Sequence, residues 1–526
     1  MHFRHELGFT MNRLFVLLGA ILGWSQATLA QESQSFSDAV NEVMTPIAAV
    51  IEYVVFYKLE LAWLMGEGTP GIPLIVIWLL GAAIFFSFYM GFPNIRNFKQ
   101  SMRIVSGKYD NPNDPGEVTH FQALTAAVSG TVGLGNIAGV AIAISIGGPG
   151  ATFWMIMAGL FGMTSKFVEC TLGVKYREID ENGVVSGGPM YYLSKGLTER
   201  GMPSLGKVLA VAAALICIGG AFGAGAIFQV NQSATQFTNE LVSMTGGENS
   251  FFYGRPEYFG VVFSFFVGLV IIGGIRQITN VTELLVPFMA LIYISASLIV
   301  IFSNASEIPN AFVQIFVGAF SPEGVQGGII GVLVQGLRRA TFSNEAGLGS
   351  ASIAHSAAKT SEPVSEGLVA VLEPFIDTVV ICTITALVII VTNSAEPGAT
   401  DGIALTSRAF ASAVDWFPKV LTIAVMLFAF STSITWFYYG QRSFLYLFGN
   451  NKAADLAFKL LYIFMLIVGS AMTLGSVVSI ADALLLAMGV PNIVGLFIMR
   501  KEVKGMLDDY LARVKSGEIK PYAEEA

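Results

Sequence analysis

Runs of about twenty apolar residues, parted by short polar stretches, recur along the chain from residue 73 to residue 498. An α-helix of that length, rising 1.5 Å per residue, crosses a hydrocarbon layer of about 30 Å. The pattern predicts eleven transmembrane helices, near 73–92, 121–146, 149–173, 206–231, 258–275, 282–303, 324–354, 366–391, 418–440, 455–471 and 473–498. Two earlier segments read differently. Arg13 precedes a short apolar run over 14–24, and Ser25 to Ala30 offers small residues ahead of Gln31. That is the pattern of a signal peptide over 1–30, for which Met11 is the tidier start; an uncleaved first span is the alternative. Residues 31–72 mix apolar positions with Asp38, Glu42, Glu52, Lys58 and Glu60, too many charges for hydrocarbon, and are expected to form an interfacial helix.

Composition sharpens the class. Of 526 residues, 54% are hydrophobic and 13% charged, with a mean hydropathy of +0.66. A soluble domain carries about 25% charge, so this chain could not cover a water-facing globule. A soluble enzyme, a nucleic-acid binder and a disordered chain are excluded. Cys170, Cys217 and Cys382 lie in apolar stretches without metal-ligand spacing, and two of the four histidines sit at the extreme N-terminus, so no zinc, haem or other prosthetic group is expected.

The net charge of −8 says less than its sidedness. If the first span runs inward, Lys and Arg at 96, 99, 103, 108, 175, 177, 195, 200, 207, 276, 338, 339, 359, 442, 452 and 459, with the tail from Arg500, fall inside. Only Lys58, Arg255, Arg408 and Lys419 remain outside. The expectation is a multi-pass protein of a bacterial inner membrane. Its N-terminus is outside after signal removal, and the tail 501–526 is a solvated cytoplasmic helix.

One motif recurs. The second span reads Ser129-Gly-Thr-Val-Gly-Leu-Gly-Asn136 and the seventh Ser343-Asn-Glu-Ala-Gly-Leu-Gly-Ser350. Five spans separate the two, so their hosts cross in opposite directions, which is the mark of an inverted repeat with a central site at its glycine-interrupted helices. Glycine weakens a helix and frees backbone groups at mid-membrane. Freed N–H groups at a helix N-terminus suit a carboxylate, and freed carbonyls suit a dehydrated cation. Close packing of small residues is the plainer reading of one such motif; its duplication, with Glu345 alongside, favours a site. Gly133-x-Gly135-x-x-Ala138 also fits a loose dinucleotide fingerprint, but no strand precedes it.

Gly147-Gly-Pro-Gly-Ala-Thr-Phe-Trp-Met-Ile-Met-Ala-Gly-Leu-Phe-Gly162 resembles the signature of the alanine/glycine:cation symporters. So do Gly135-Asn-Ile-Ala-Gly-Val-Ala141, Phe342-Ser-Asn-Glu-Ala-Gly-Leu-Gly-Ser-Ala351 and Trp436-Phe-Tyr-Tyr-Gly-Gln-Arg442, and the likeness runs from about residue 75 to 500. Thr152 and Ile156 depart from it, where an aliphatic residue and a tryptophan are usual. The resemblance implies an all-α, leucine-transporter-type five-plus-five inverted repeat of the amino acid–polyamine–organocation superfamily. The transporter domain is then 73–500, with one extra leading span, repeat one at 121–303 and repeat two at 324–498. It also implies inward symport of alanine, glycine or similar small amino acids with sodium, less often with protons, by one chain that needs no oligomer.

Residue by residue, the resemblance implies that amides around Thr131, Gly133 and Gly135 take the substrate carboxylate while Asn136 braces the break. Phe342, Ser343 and Asn344 would offer carbonyls to the ammonium and one wall to the side chain. Gln229 would reach the substrate, the alternative being interhelical glue, and Trp436 would close a small pocket that it shares with Phe342. Thr432 and Ser433, with the carbonyls of Ser129 and Val132, would hold sodium, the alternative being hydroxyls bonded to their own helix. Glu345 would either hold the second break open or be a structural charge. Glu373 and Asp377, four apart and so on one face, suggest gating or bracing; Asp482 has no assigned role. A channel would need a continuous polar lining, and an intramembrane enzyme a nucleophile or metal constellation; the sequence offers neither.

Overall fold

The computed structural model describes residues 35–59, 71–320, 328–395 and 402–522, so the signal-peptide segment 1–30 lies outside the described residues. Helices occupy all eleven stretches that the apolar pattern marks. Among the described residues, seven helices are long and apolar enough to cross a membrane unaided, among them Ala151–Lys175, Pro203–Met244, Gly274–Ser303, Pro363–Val391 and Phe417–Phe448. Leu74–Met90 and Glu257–Ile271 are shorter apolar helices.

The second and seventh stretches are each two helices in line. His120–Thr131 and Gly135–Gly147 meet at a bend of 50°. Gly328–Asn344 and Ala351–His355 are parted by six non-helical residues. The first half-helix starts on a capping box, in which Thr119 accepts from the Gln122 amide (3.2 Å) and Gln122 Oε1 from the Thr119 amide (3.1 Å).

Repeat symmetry extends to two connections that the apolar pattern leaves as loops. Pro189–Glu199 follows the third span and Gly402–Ala413 follows the eighth, the same station in each repeat. A further helix, Ile308–Phe320, packs on the third span through facing glycines: a β-carbon on Gly150 would stand 2.1 Å from the Gly318 carbonyl carbon. Gly150, part of the recognisable signature, therefore serves close backbone approach.

The structure corrects two expectations. The tail is no free helix: Gly489–Ser516 is continuous, and Met499, Val503, Leu507 and Tyr510 bury one face of it at helical spacing. Arg513 clamps its end to Glu362 through two contacts of 2.7 Å. Arg338 and Arg339, counted above among inner-loop charges, lie instead within the helix ahead of the second break, where both pair with buried Asp482. The N-terminal helix Phe36–Val55 turns Val40, Val43 and Ala48 inward, and Ser37 bonds the Ala471 carbonyl at 2.6 Å while Tyr53 and Val54 stay exposed.

Candidate functional site

The two breaks face each other at the centre of the bundle. At the first, Thr131 ends the helix and Val132 leaves helical geometry with ψ at 84°. The amides thus freed are not vacant. Gly133 N–H donates to Asn136 Oδ1 at 2.9 Å, and Leu134 N–H to Gln229 Oε1 at 3.0 Å. Gln229 Nε2 donates in turn to the Ala224 carbonyl at 3.0 Å. Asn136 and Gln229 thus both brace the first break. The Thr131 hydroxyl bonds back to Ala127 and Val128 of its own helix.

The second break is wound on left-handed residues: Glu345 at φ +57°, Gly347 at +83° and Gly349 at +85°. Glu345 is its internal brace, accepting from Ser350 Oγ at 2.5 Å and from Trp436 Nε1 at 3.0 Å. Asn344 Oδ1 accepts from the Ala346 amide at 3.0 Å. Buried Glu169, on the third span, accepts from the Gly349 amide and from Asn492 Nδ2, each at 3.0 Å, and Asn492 also reaches the Gly347 carbonyl at 2.8 Å.

Asp377 joins the two breaks. One oxygen accepts from Asn136 Nδ2 at 2.5 Å, the other from Ser343 Oγ at 2.7 Å and Thr378 Oγ1 at 2.6 Å. Asn344 donates to Thr378 at 3.1 Å. Phe342 lies over Gly135, where a β-carbon would come 3.1 Å from its ring; it meets Phe228 edge-to-face (centroids 4.8 Å apart) and carries the Arg339 guanidinium over its ring (5.2 Å). Trp436 is seated by Gly220 and Gly225 and turned to Glu345, so its polar handle belongs to the second break. Glu373 and Asp377 do not share partners: Glu373 pairs with Lys166 at 2.9 Å.

Of the four residues expected around sodium, two meet directly. Thr432 Oγ1 lies 2.9 Å from the Ser129 carbonyl, beside the first break. Ser433 Oγ donates instead to the Gly225 carbonyl at 2.9 Å, and the Ser129 hydroxyl to the Ser431 carbonyl at 2.8 Å. Val132 is buried at the exit of the half-helix. Residue types alone had passed over Lys166, Glu169, Glu366, His120 and His355, all buried. A lysine and a glutamate three apart inside an apolar span were the signal available for the first two.

The model of the sodium:alanine symporter family matches residues 64–525. The chain belongs to that family. It is 40% identical to the sodium/alanine symporter AgcS of Methanococcus maripaludis over 431 residues, 81% of this chain and 92% of that one. It is 34% identical to the probable sodium/glutamine symporter GlnT of Bacillus subtilis, over 89% and 92% of the two chains. The crystal structure of MhsT in complex with L-phenylalanine superposes with a TM-score of 0.53 at 16% identity, covering 74% of this chain and 98% of that one. That likeness shows the leucine-transporter-type fold. Family membership makes the chain an amino-acid transporter, not an enzyme.

Proposed function

We propose that the chain carries small neutral amino acids, alanine and glycine, into the cell with sodium by alternating access across a bacterial inner membrane. The observation that carries the reading is the Thr432 hydroxyl held against the Ser129 carbonyl beside the first break, with Asp377 spanning both breaks. A hydroxyl and a carbonyl at that separation need only rotate the hydroxyl hydrogen away to offer two oxygens to one cation. Val132, whose carbonyl has left the helix, and Ser433, after a rotamer change, would add two more.

Substrate is assigned to the neighbouring surface formed by Thr131, Gly133, Gly135, Asn136, Gln229, Phe342, Ser343, Asn344 and Trp436. Its carboxylate would displace Asn136 or Gln229 from the Gly133 and Leu134 amides, and its ammonium would lie toward the second break. Phe342 and Trp436 would leave space for a methyl group and exclude branched side chains. Preference for alanine over glycine then rests on one methyl, about 1 kcal/mol or a few-fold in affinity. The names of the relatives, alanine for one and glutamine for another, support a neutral amino acid and leave its size to this pocket.

Uptake of labelled alanine by proteoliposomes under an imposed sodium gradient tests the reading. Thr432→Ala is expected to raise the sodium concentration for half-maximal uptake without lowering the amount of folded protein. Glycine should compete and leucine should not. Uptake driven equally well by a proton gradient without sodium would replace sodium with the proton, and competition by leucine as strong as by glycine would overturn the two-ring pocket.

A further inference from the structure

Five ionisable side chains, unused by the transport reading, tie together the ends of four spans on the side that the charge asymmetry assigns to the cytoplasm. His120 opens the first broken span and His355 closes the second; Glu366 and Glu373 stand on the eighth, and Lys166 on the third. None is more than 1% exposed. Lys166 Nζ lies 2.9 Å from Glu373 Oε1, and His355 Nδ1 2.5 Å from Glu366 Oε1. His120 Nδ1 takes the other oxygen of Glu366. One link is left open: His355 Nε2 and Glu373 Oε2 stand 3.6 Å apart, and neither atom has a hydrogen-bond partner.

His355 thus presents both ring nitrogens to carboxylates. A neutral imidazole donates from one nitrogen only, whereas the imidazolium donates from both. With His355 charged and His120 neutral, Lys166 and His355 balance Glu366 and Glu373. Without that proton, two dry carboxylates face one ammonium, an arrangement that a buried cluster sustains only at considerable cost. What His355 can share between the two carboxylates is a proton, since its two ring nitrogens face Glu366 and Glu373 separately.

We propose that His355, bracketed by Glu366 and Glu373, is a proton-binding site whose proton locks the inner ends of both broken spans to the third and eighth spans. The proposal rests on the alternating-access reading. Release of cargo inward requires these ends to part, and water entering there accepts the proton from His355. The lock closes again by taking a proton from the same side, so the site sets the pH dependence of opening and moves no net proton.

The surroundings leave His355 as the switching group. The charge of Asp110, on the preceding loop, acts on His120, and that of Glu373 on Tyr439 of the ninth span. Arg177 lies near Glu366 and donates to the carbonyls of Pro115, Ser356, Ala358 and Thr360 at 2.6–2.7 Å. Glu169, Cys170 and Glu345 face Lys166. Of all these groups only the two histidines ordinarily titrate between pH 5 and 8, and His120 presents one nitrogen to a carboxylate where His355 presents two, one bonded and one 3.6 Å away.

Two measurements on the full chain decide it. Hydrogen exchange of residues 351–370 in detergent, corrected for the intrinsic rate, is expected to quicken from pH 6 to 8.5, by up to about tenfold per pH unit for one linked proton. In proteoliposomes at fixed sodium gradient and fixed external pH, alanine uptake is expected to slow as the compartment facing these span ends is acidified. Both dependences should flatten in His355→Gln and persist in His120→Gln. Exchange in the wild type that ignores pH overturns the proposal, and needs no variant to fold; so does a His355→Gln protein that keeps the full dependence. Alanine uptake absent at every pH beside intact pH-dependent exchange would instead overturn the substrate reading and leave the proton site standing.

Discussion

At 133–135 and at 347–349 the chain spells Gly-Leu-Gly, and the two glycine pairs answer different needs. The first pair is required for space. A β-carbon on Gly133 would fall 2.4 Å from Thr432 Oγ1 and 3.1 Å from Gln229 Oε1, and one on Gly135 would press on Phe342. The second pair is required for conformation, at φ +83° and +85°; around Gly347 the nearest atoms to a β-carbon are an ordinary 3.5 Å away, while Gly349 is also hemmed in, by Asn492 and Pro189 at 3.1 Å. The supports differ as well. Neutral amides, Asn136 and Gln229, hold the first break, while buried carboxylates, Glu345 and Glu169, hold the second. Neutral amide braces exchange readily with a ligand's own polar groups, whereas withdrawing a buried carboxyl brace strands its donors in a dry interior. The first break is thus the half suited to bind and let go, and the second the half suited to stay bent.

Removing the carboxyl brace should have the largest effect. Glu169→Ala orphans the Gly349 amide and takes one of the partners of Asn492, which keeps the Gly347 carbonyl, and about 3 kcal/mol of stability should be lost. Asn136→Gln, which keeps the neutral amide but displaces it, should cost no more than about 1 kcal/mol while weakening substrate binding. Thermal unfolding in detergent reads both, and equal losses would erase the distinction between the breaks.

A smaller effect separates the glycines themselves. Gly347→Ala should lose about 1–2 kcal/mol through its left-handed backbone, whatever is done to its neighbours. Gly133→Ala should be relieved by Thr432→Ala, with a coupling of about 1 kcal/mol in a double-mutant cycle. A Gly347→Ala variant rescued by trimming Ile493 or Leu79, or a Gly133→Ala variant that Thr432→Ala fails to rescue, would reverse the assignment. A comparably small change is Trp436→Phe, which strips one hydrogen bond from Glu345. About 1 kcal/mol of stability should go, with sodium dependence unaltered because Thr432 and Ser129 are untouched. A shift in sodium dependence would show that the second break also shapes the cation site.

The apolar runs, the sidedness of charge and the repeated Gly-Leu-Gly are local or periodic features, and from them the chain alone determined the helical stretches, the inverted repeat and where both spans break. Asn136 entered as a brace only through the family resemblance; the structure gives its oxygen to the Gly133 amide three residues away. Partners brought together by packing were not legible. Lys166 meets Glu373 across 207 residues, Asp482 meets Arg339 across 143, and Asn136 meets Asp377 across 241. Spacing put Glu373 and Asp377 on one face, yet only the packed bundle decided that one serves the lysine and the other both breaks. Ser433 stands next to Thr432 in the chain, but its hydroxyl goes to Gly225. The tail 501–516 carries enough charge to read as solvated, yet the packed structure buries one of its faces. A helix and its break are written within some twenty residues, whereas the partner of a buried charge depends on which spans end up adjacent, and that is a property of the packed bundle alone.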